Sequence, residues 1–134
     1  MATRLFHQDE TLPEDPKSIW VFGSNLAGRH GAGAAKLAAA LYGAVRGNGH
    51  GRMGRCFAIP TKDEKLAVIG LHEIQASIKN FLCYATEHAD IPFFVTRVGC
   101  GLAGYHDAQI APMFKCAPAN CSLPDIWKPY LEQK

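Results

Sequence analysis

No two cysteines stand at the Cys-x-x-Cys interval, and no histidine falls at a zinc-finger spacing. The five cysteines, Cys56, Cys83, Cys100, Cys116 and Cys121, are odd in number and irregularly placed. Both facts argue against a disulfide framework or a structural metal. No stretch approaches the roughly 18 consecutive apolar residues of a membrane span, and the opening MATRLFHQDETLPEDPK has no apolar signal core. Reduced thiols, a cytoplasmic location and no membrane partner are the expectation. Charge is sparse as well: 19% of residues, net +2. That is too little for the dense basic footprint of a dedicated nucleic-acid binder. Internal repeats and low-complexity segments are also missing.

What is present is an ordinary globular balance, 48% hydrophobic over 134 residues, enough for one domain around one core. The 13 glycines are concentrated between Gly23 and Gly54. We read a single domain over 1–134, with a polar N-terminal arm over 1–17 that holds at most a short strand. A C-terminal tail over 122–134 docks through Trp127 and Tyr130 and adds one more short strand.

SIWVFG (18–23) has the β-branched and aromatic content of a buried strand. Ala34, Leu37, Ala38, Leu41 and Val45 recur at helical spacing and predict a helix ending near Arg46 and Gly47. RGNGHGRMG then has almost no core-forming side chains and reads as a connection that is flexible unless something holds it. RCFAIPT (55–61) is a second strand, stopped by Pro60. Leu71, Ile74, Ile78, Phe81, Leu82 and Ala85 form one stripe of a long amphipathic helix. IPFFVTRV (91–98) is a third strand, and Asp107 can cap a short helix carrying Ile110, Met113 and Phe114.

Strand and helix alternate three times, which defines an α/β fold with a mainly parallel sheet and helices on both faces. Ligands of such sheets bind beyond the carboxyl ends of the strands. All three strands end in unusual sequence there: GSNLAGRHGAG, IPTKDEK and GCGLAGYHD.

The first loop places glycines between a strand and a helix. Backbone N–H groups can then approach an anion closely, helped by the roughly half positive charge of the helix N-terminus. Its spacing is neither the dinucleotide fingerprint nor a P-loop, and a tight turn needing small residues explains the same glycines. The third loop repeats the device with Gly99, Gly101 and Gly104. Two such turns at one sheet edge can clamp a diphosphate, with Tyr105 offering an aromatic face to a ribose or base. Lys62 is either a nucleophile or an anion contact, and His30, between Arg29 and Gly31, an anion contact or weak general acid. Cys100 lacks a clear base and reads as a small residue tolerated by the turn.

GSNLAGRHGAGAAKLA, IPTK and TRVGCGLAGY, in that order over about residues 18–115, resemble the macro domain, the ADP-ribose-binding module. They are nearest to the branch that removes ADP-ribose from carboxylate side chains. The resemblance implies a compact three-layer α/β/α fold with no bound cofactor or metal. Its ligand is ADP-ribose or an ADP-ribosylated substrate, gripped by Gly31, Ala32, Gly33 and Ala34 and by Gly99, Cys100, Gly101, Leu102, Ala103, Gly104 and Tyr105. It places Asn25 and Lys62 at the distal ribose as candidate catalytic groups beside His30, so an ADP-ribosyl glycohydrolase or esterase is the implied enzyme class. Two departures stand out. The short N-terminal region and the glycine-rich connection imply a sheet smaller than the family's, and Ala103 replaces the acid of the second loop. The alternatives are a Rossmann-like nucleotide phosphoribohydrolase, for which VFGSN is also a familiar opening, and a non-catalytic sensing or interaction module.

Overall fold

The computed structural model describes residues 4–131 and shows an α/β protein with a six-stranded, mostly parallel sheet and four helices among those residues. The central strand β2 (Ile19–Asn25) lies between β4 (Cys56–Lys62) and β5 (Phe93–Val95), parallel to both. Beyond β5 come β6 (Cys121–Pro124) and β1 (Leu5–His7), also parallel. Beyond β4 lies β3 (Gly51–Met53), the antiparallel strand, giving the order β1-β6-β5-β2-β4-β3.

The period of two along each strand builds a core on both faces. Ile19, Val21, Phe57, Ile59, Phe93 and Val95 pack into one cluster with the buried side of α2 (Leu71–Glu87) and with Trp127. Their alternate neighbours Trp20, Phe22, Cys56, Ala58 and Phe94 pack with Ala35 and Ala38 of α1 (Gly33–Leu41) on the other. The predicted stripe of α2 holds, with Ile74, Ile78, Phe81 and Ala85 buried. A short helix α3 (Asp107–Ile110) runs into a 3-10 turn over Ala111–Phe114, and α4 (Lys128–Leu131) follows β6.

Several expectations need correction. The first helix stops at Leu41, because Gly43 turns the chain with φ of +80°. Its buried face is Ala35 and Ala38, continued by Tyr42 beyond the helix; Leu37, Leu41 and Val45 are 38%, 45% and 57% exposed. Alanines let α1 approach the aromatic face closely, so its bulkier side chains point outward. Pro60 does not end its strand. Trp20 N–H bonds the Arg55 carbonyl, so by strand alternation Phe57, Ile59 and Thr61 present their N–H groups to β2. Pro60 faces the other edge, where β3 has already ended opposite Ala58, so no ladder bond is lost. The glycine-rich connection is ordered into β3, with Met53 buried. The third strand keeps only Phe93–Val95 of the predicted 91–98. Arm, connection and tail each contribute a strand to the six of the sheet.

Candidate functional site

Four parallel strands end along one edge of the sheet, and a cleft of about 640 Å³ runs there. In strand order its landmarks are His7 at the end of β1, the 97–103 loop after β5, Asn25 at the end of β2 with the 26–34 loop, and Lys62 at the end of β4. Topology, not sequence proximity, brings the unusual loops together.

Gly31, Ala32, Gly33 and Ala34 line the cleft. Ala32 is the N-cap of α1 but supplies no side-chain hydrogen bond, and the first turn has no acidic residue. The first N–H groups of a helix have no partner within it, so this uncapped end offers donors and the positive end of the helix dipole to the cleft. A β-carbon at Gly31 or Gly33 would meet nothing within 4 Å, and Gly33 has φ of +57°.

The second loop folds on itself. Cys100 N–H bonds the Arg97 carbonyl (3.1 Å), Gly104 N–H the Gly101 carbonyl (3.0 Å) and Tyr105 N–H the Gly99 carbonyl (2.9 Å). No backbone bond among the described residues takes the N–H groups of Gly101, Leu102 or Ala103, all three lining the cleft. Such a run of free amides forms an anion-binding concavity.

Below this loop Arg97 grips Asp107 with two bonds, Nε to Oδ1 (3.0 Å) and Nη2 to Oδ2 (2.6 Å). Trp127 Nε1 also donates to Asp107 Oδ1 (2.7 Å). Burial alone would raise the Asp107 carboxyl, but the bonds from Arg97 and Trp127 outweigh it and hold the group below its usual range. Asp107 is therefore an anchor for the loop and not the helix cap expected of it. His106 takes the cap position, its N–H bonded to Gln109 Oε1 (2.9 Å). Burial, reinforced by the Asp107 carboxylate, pushes the Cys100 thiol up to about 12, which removes it as a nucleophile near neutrality.

Of the candidate catalytic residues, Asn25 and Lys62 face the cleft and are register partners on adjacent strands. Asn25 spends both ends of its amide on Arg29, accepting from its N–H (2.9 Å) and donating to its carbonyl (2.8 Å). It shapes the first loop first of all. Lys62 forms no ion pair among the described residues. Asp63 beside it turns away to accept from Lys65 and Ala67 N–H.

His30, Gly104 and Tyr105 do not line the cleft. His30 Nε2 donates to the carbonyls of Val45 (2.9 Å) and Asn48 (3.1 Å), which fixes its ring against the glycine-rich connection. Its Nδ1 is buried with no hydrogen-bond partner among the described residues. The hydroxyl of Tyr105 donates to the Ile69 carbonyl (2.6 Å) and its ring packs on the core. Gly104 serves the turn, with φ of +83°.

The aromatic surface comes instead from Trp20 and Phe94, which the sequence marked only as strand residues, and from His7 of the polar arm. His7, Phe94 and Trp20 line the cleft and stack in series, at 3.7 Å between the first pair and 5.5 Å between the second. Burial lowers the His7 pKa below its ordinary 6.5, and its Nδ1 bonds Ser122 Oγ (2.7 Å). Asp9, Glu10, Thr11 and Leu12 of the arm form the adjoining wall. The signal for these residues was pairing of β1 with β6, which sequence periodicity in a three-residue strand cannot reveal.

Comparison with protein families, curated proteins and solved structures finds no match to this chain. Among the described residues no helix is long and apolar enough to cross a membrane.

Proposed function

We propose that the cleft binds ADP-ribose or a closely related ADP-ribosyl nucleotide, within a macro-domain-like α/β/α architecture. One observation carries this reading. Two loops with free backbone amides, at 31–34 and 101–103, line the same cleft from neighbouring strands, one at an uncapped helix N-terminus. A diphosphate between them accepts from both. In this reading a base lies toward His7 and Phe94 on one side of the diphosphate, and a distal ribose toward Asn25 and Lys62 on the other. A nucleotide-sized ligand also suits the volume, which falls in the usual range of roughly 300–1,000 Å³ for such sites.

Binding ranks ahead of turnover. Ala103 stands where the resembling hydrolase branch has an acid, Asp9 and Asp107 are committed to Arg97, and Cys100 stays protonated. Lys62 is the remaining candidate for chemistry at the distal ribose. Calorimetric titration with ADP-ribose, AMP and NAD tests the reading. Tightest binding is expected for ADP-ribose, and no heat with any of them at about millimolar concentration, a regime of only ~4 kcal/mol, overturns it. Release of adenine from AMP would instead favour a phosphoribohydrolase.

A further inference from the structure

The chain between β1 and β2 forms a wall of the cleft beside its aromatic floor without belonging to either of its glycine loops. β1 is an edge strand, and β2 lies three places along the sheet, parallel to it. The connection must therefore return from the carboxyl edge to the amino edge across β6 and β5. It does so with no helix or strand between His7 and Ile19. At its far end Arg55 Nη1 donates to the Pro16 carbonyl (3.3 Å). At its near end residues 9–12 line the cleft together with Trp20 and Phe94. Trp20 lines that cleft yet is only 3% exposed.

Residues 8–12 are held lightly. Thr11 Oγ1 donates back to the Gln8 carbonyl (2.6 Å), a bond internal to the segment. The side-chain bond from this segment to the rest of the described residues is Asp9 Oδ2 to Arg97 Nη1, at 3.3 Å, both groups about a third exposed. Arg97 makes its two shorter bonds to Asp107 through Nε and Nη2, nitrogens other than the Nη1 that meets Asp9. Next to the contact, Glu10 has φ of +60°, a left-handed backbone that a side chain disfavours. Glu10 and Leu66 are the only such non-glycine residues described, and both line this cleft.

We propose that residues 8–12 are a strap over the Trp20–Phe94 floor, latched by Asp9 to Arg97, whose opening controls access to that end of the cleft. Arg97 is the fixed post and Asp9 the releasable hook. The strain at Glu10 favours release, and the half-exposed ion pair resists it weakly and in a salt-dependent way. The gate acts on any ligand of the floor, so it does not require that ligand to be ADP-ribose.

Acrylamide quenching of tryptophan fluorescence tests the strap. Trp127 is fully buried on the other face, so Trp20 supplies the change, and Trp20→Phe identifies its share. Asp9→Asn keeps the shape of the side chain and removes its charge. It should raise the Trp20 quenching constant about twofold or more, because a locally open state becomes more populated. Sodium chloride from about 0.05 M to about 1 M should raise quenching in the parent and not in Asp9→Asn. Amide hydrogen exchange separates latch from fold: residues 8–12 should exchange faster in Asp9→Asn, with β2 unchanged. Equal quenching in parent and variant, or a loss of protection that extends through β2, overturns the proposal.

Discussion

Gly49 lies with its α-carbon against the main chain of Asn25, so that a β-carbon on Gly49 would stand 1.7 Å from the Asn25 carbonyl oxygen. Nearby, a β-carbon on Gly28 would stand 2.3 Å from the Gly47 carbonyl carbon. Ser24 Oγ donates to the Gly49 carbonyl, and Gly47 N–H to that of Gly28 (3.0 Å). The glycines of the connection permit backbone-to-backbone packing and brace the first loop from behind.

Gly49→Ala must therefore push the connection off the loop. Overpacking of this kind costs about 2 kcal/mol, a fall in Tm of roughly 5–10 °C for a chain of this size. Gly31→Ala, with open space around the new methyl, should leave Tm unchanged. Thermal melts of both variants check the contrast; equal Tm values would mean the connection does not brace the loop.

The thiols divide by environment. Burial raises Cys56 to about 11 and Cys100 and Cys121 to about 12, whereas Cys83 and Cys116 are exposed. Titration of the native protein with a thiol-exchange reagent near pH 8 should show fast reaction at Cys83 and Cys116 only. Cys56 and Cys121, both buried, should react at the rate of unfolding, and Cys100, half-buried at the cleft, more slowly than the exposed pair. Fast modification of Cys100 would contradict its protonated, half-buried placement.

Acid lability should come in two windows. Burial lowers the His7 pKa below 6.5, so the unfolded chain takes that proton more readily than the folded one. The stability this contributes is complete above about 6.5 and is lost as pH falls through the folded value. The Asp107 carboxyl is also lowered, from 3.8, by its bonds to Arg97 and Trp127 against the pull of burial. Its contribution is complete above that value and disappears at still lower pH. Denaturant midpoints across pH should flatten in the upper window for His7→Gln and in the lower for Asp107→Asn. A parent curve flat from pH 7 to pH 5 would contradict the burial of a neutral His7.

The sequence displayed the ends of the strands more clearly than their number. GSN, IPTK and TRVGCG each follow a recognisable β-branched or aromatic run, so their meeting at one edge followed from the alternation of strands and helices. β1 and β3 are three residues long and exist because a neighbour offers free ladder groups, which local composition cannot announce. The same limit applied to side chains. Tyr105 and His30 sit in polar, glycine-rich sequence yet turn toward Ile69 and Val45. Trp20 and Phe94 looked like core because they are core; that they also floor a cleft depends on α1 ending its cover at Ala34 and Ala35.

Gly33 tests the anion site without removing a side chain. Its φ of +57° makes any substitution cost about 1–2 kcal/mol, and the open space means that no atom is struck. Gly33→Glu should remain folded with a modestly lowered Tm, while its carboxylate occupies the place proposed for phosphate. Affinity for ADP-ribose should fall at least about tenfold, or ~1.4 kcal/mol. Unchanged affinity in calorimetry would remove the first loop from the binding site.

Lys62 separates a clamp from a catalyst. It lies at the end of β4, beside Asn25 in register, and no ion pair among the described residues holds it. If backbone amides carry the diphosphate, Lys62→Ala changes ADP-ribose affinity little when the lysine serves chemistry. When it serves as an exposed anion contact, the same variant weakens binding by about 1 kcal/mol. We expect the second result, with little or no hydrolysis of ADP-ribosylated glutamate by the parent, because Ala103 faces the cleft where the resembling branch has an acid. Ala103→Asp supplies that carboxylate from the same self-closed loop. Assayed for free ADP-ribose, it should gain or raise turnover if Lys62 is correctly placed and only the acid is lacking. A variant that still binds ADP-ribose yet releases none would show that Lys62 does not occupy a catalytic position, and would leave the cleft a binding site alone.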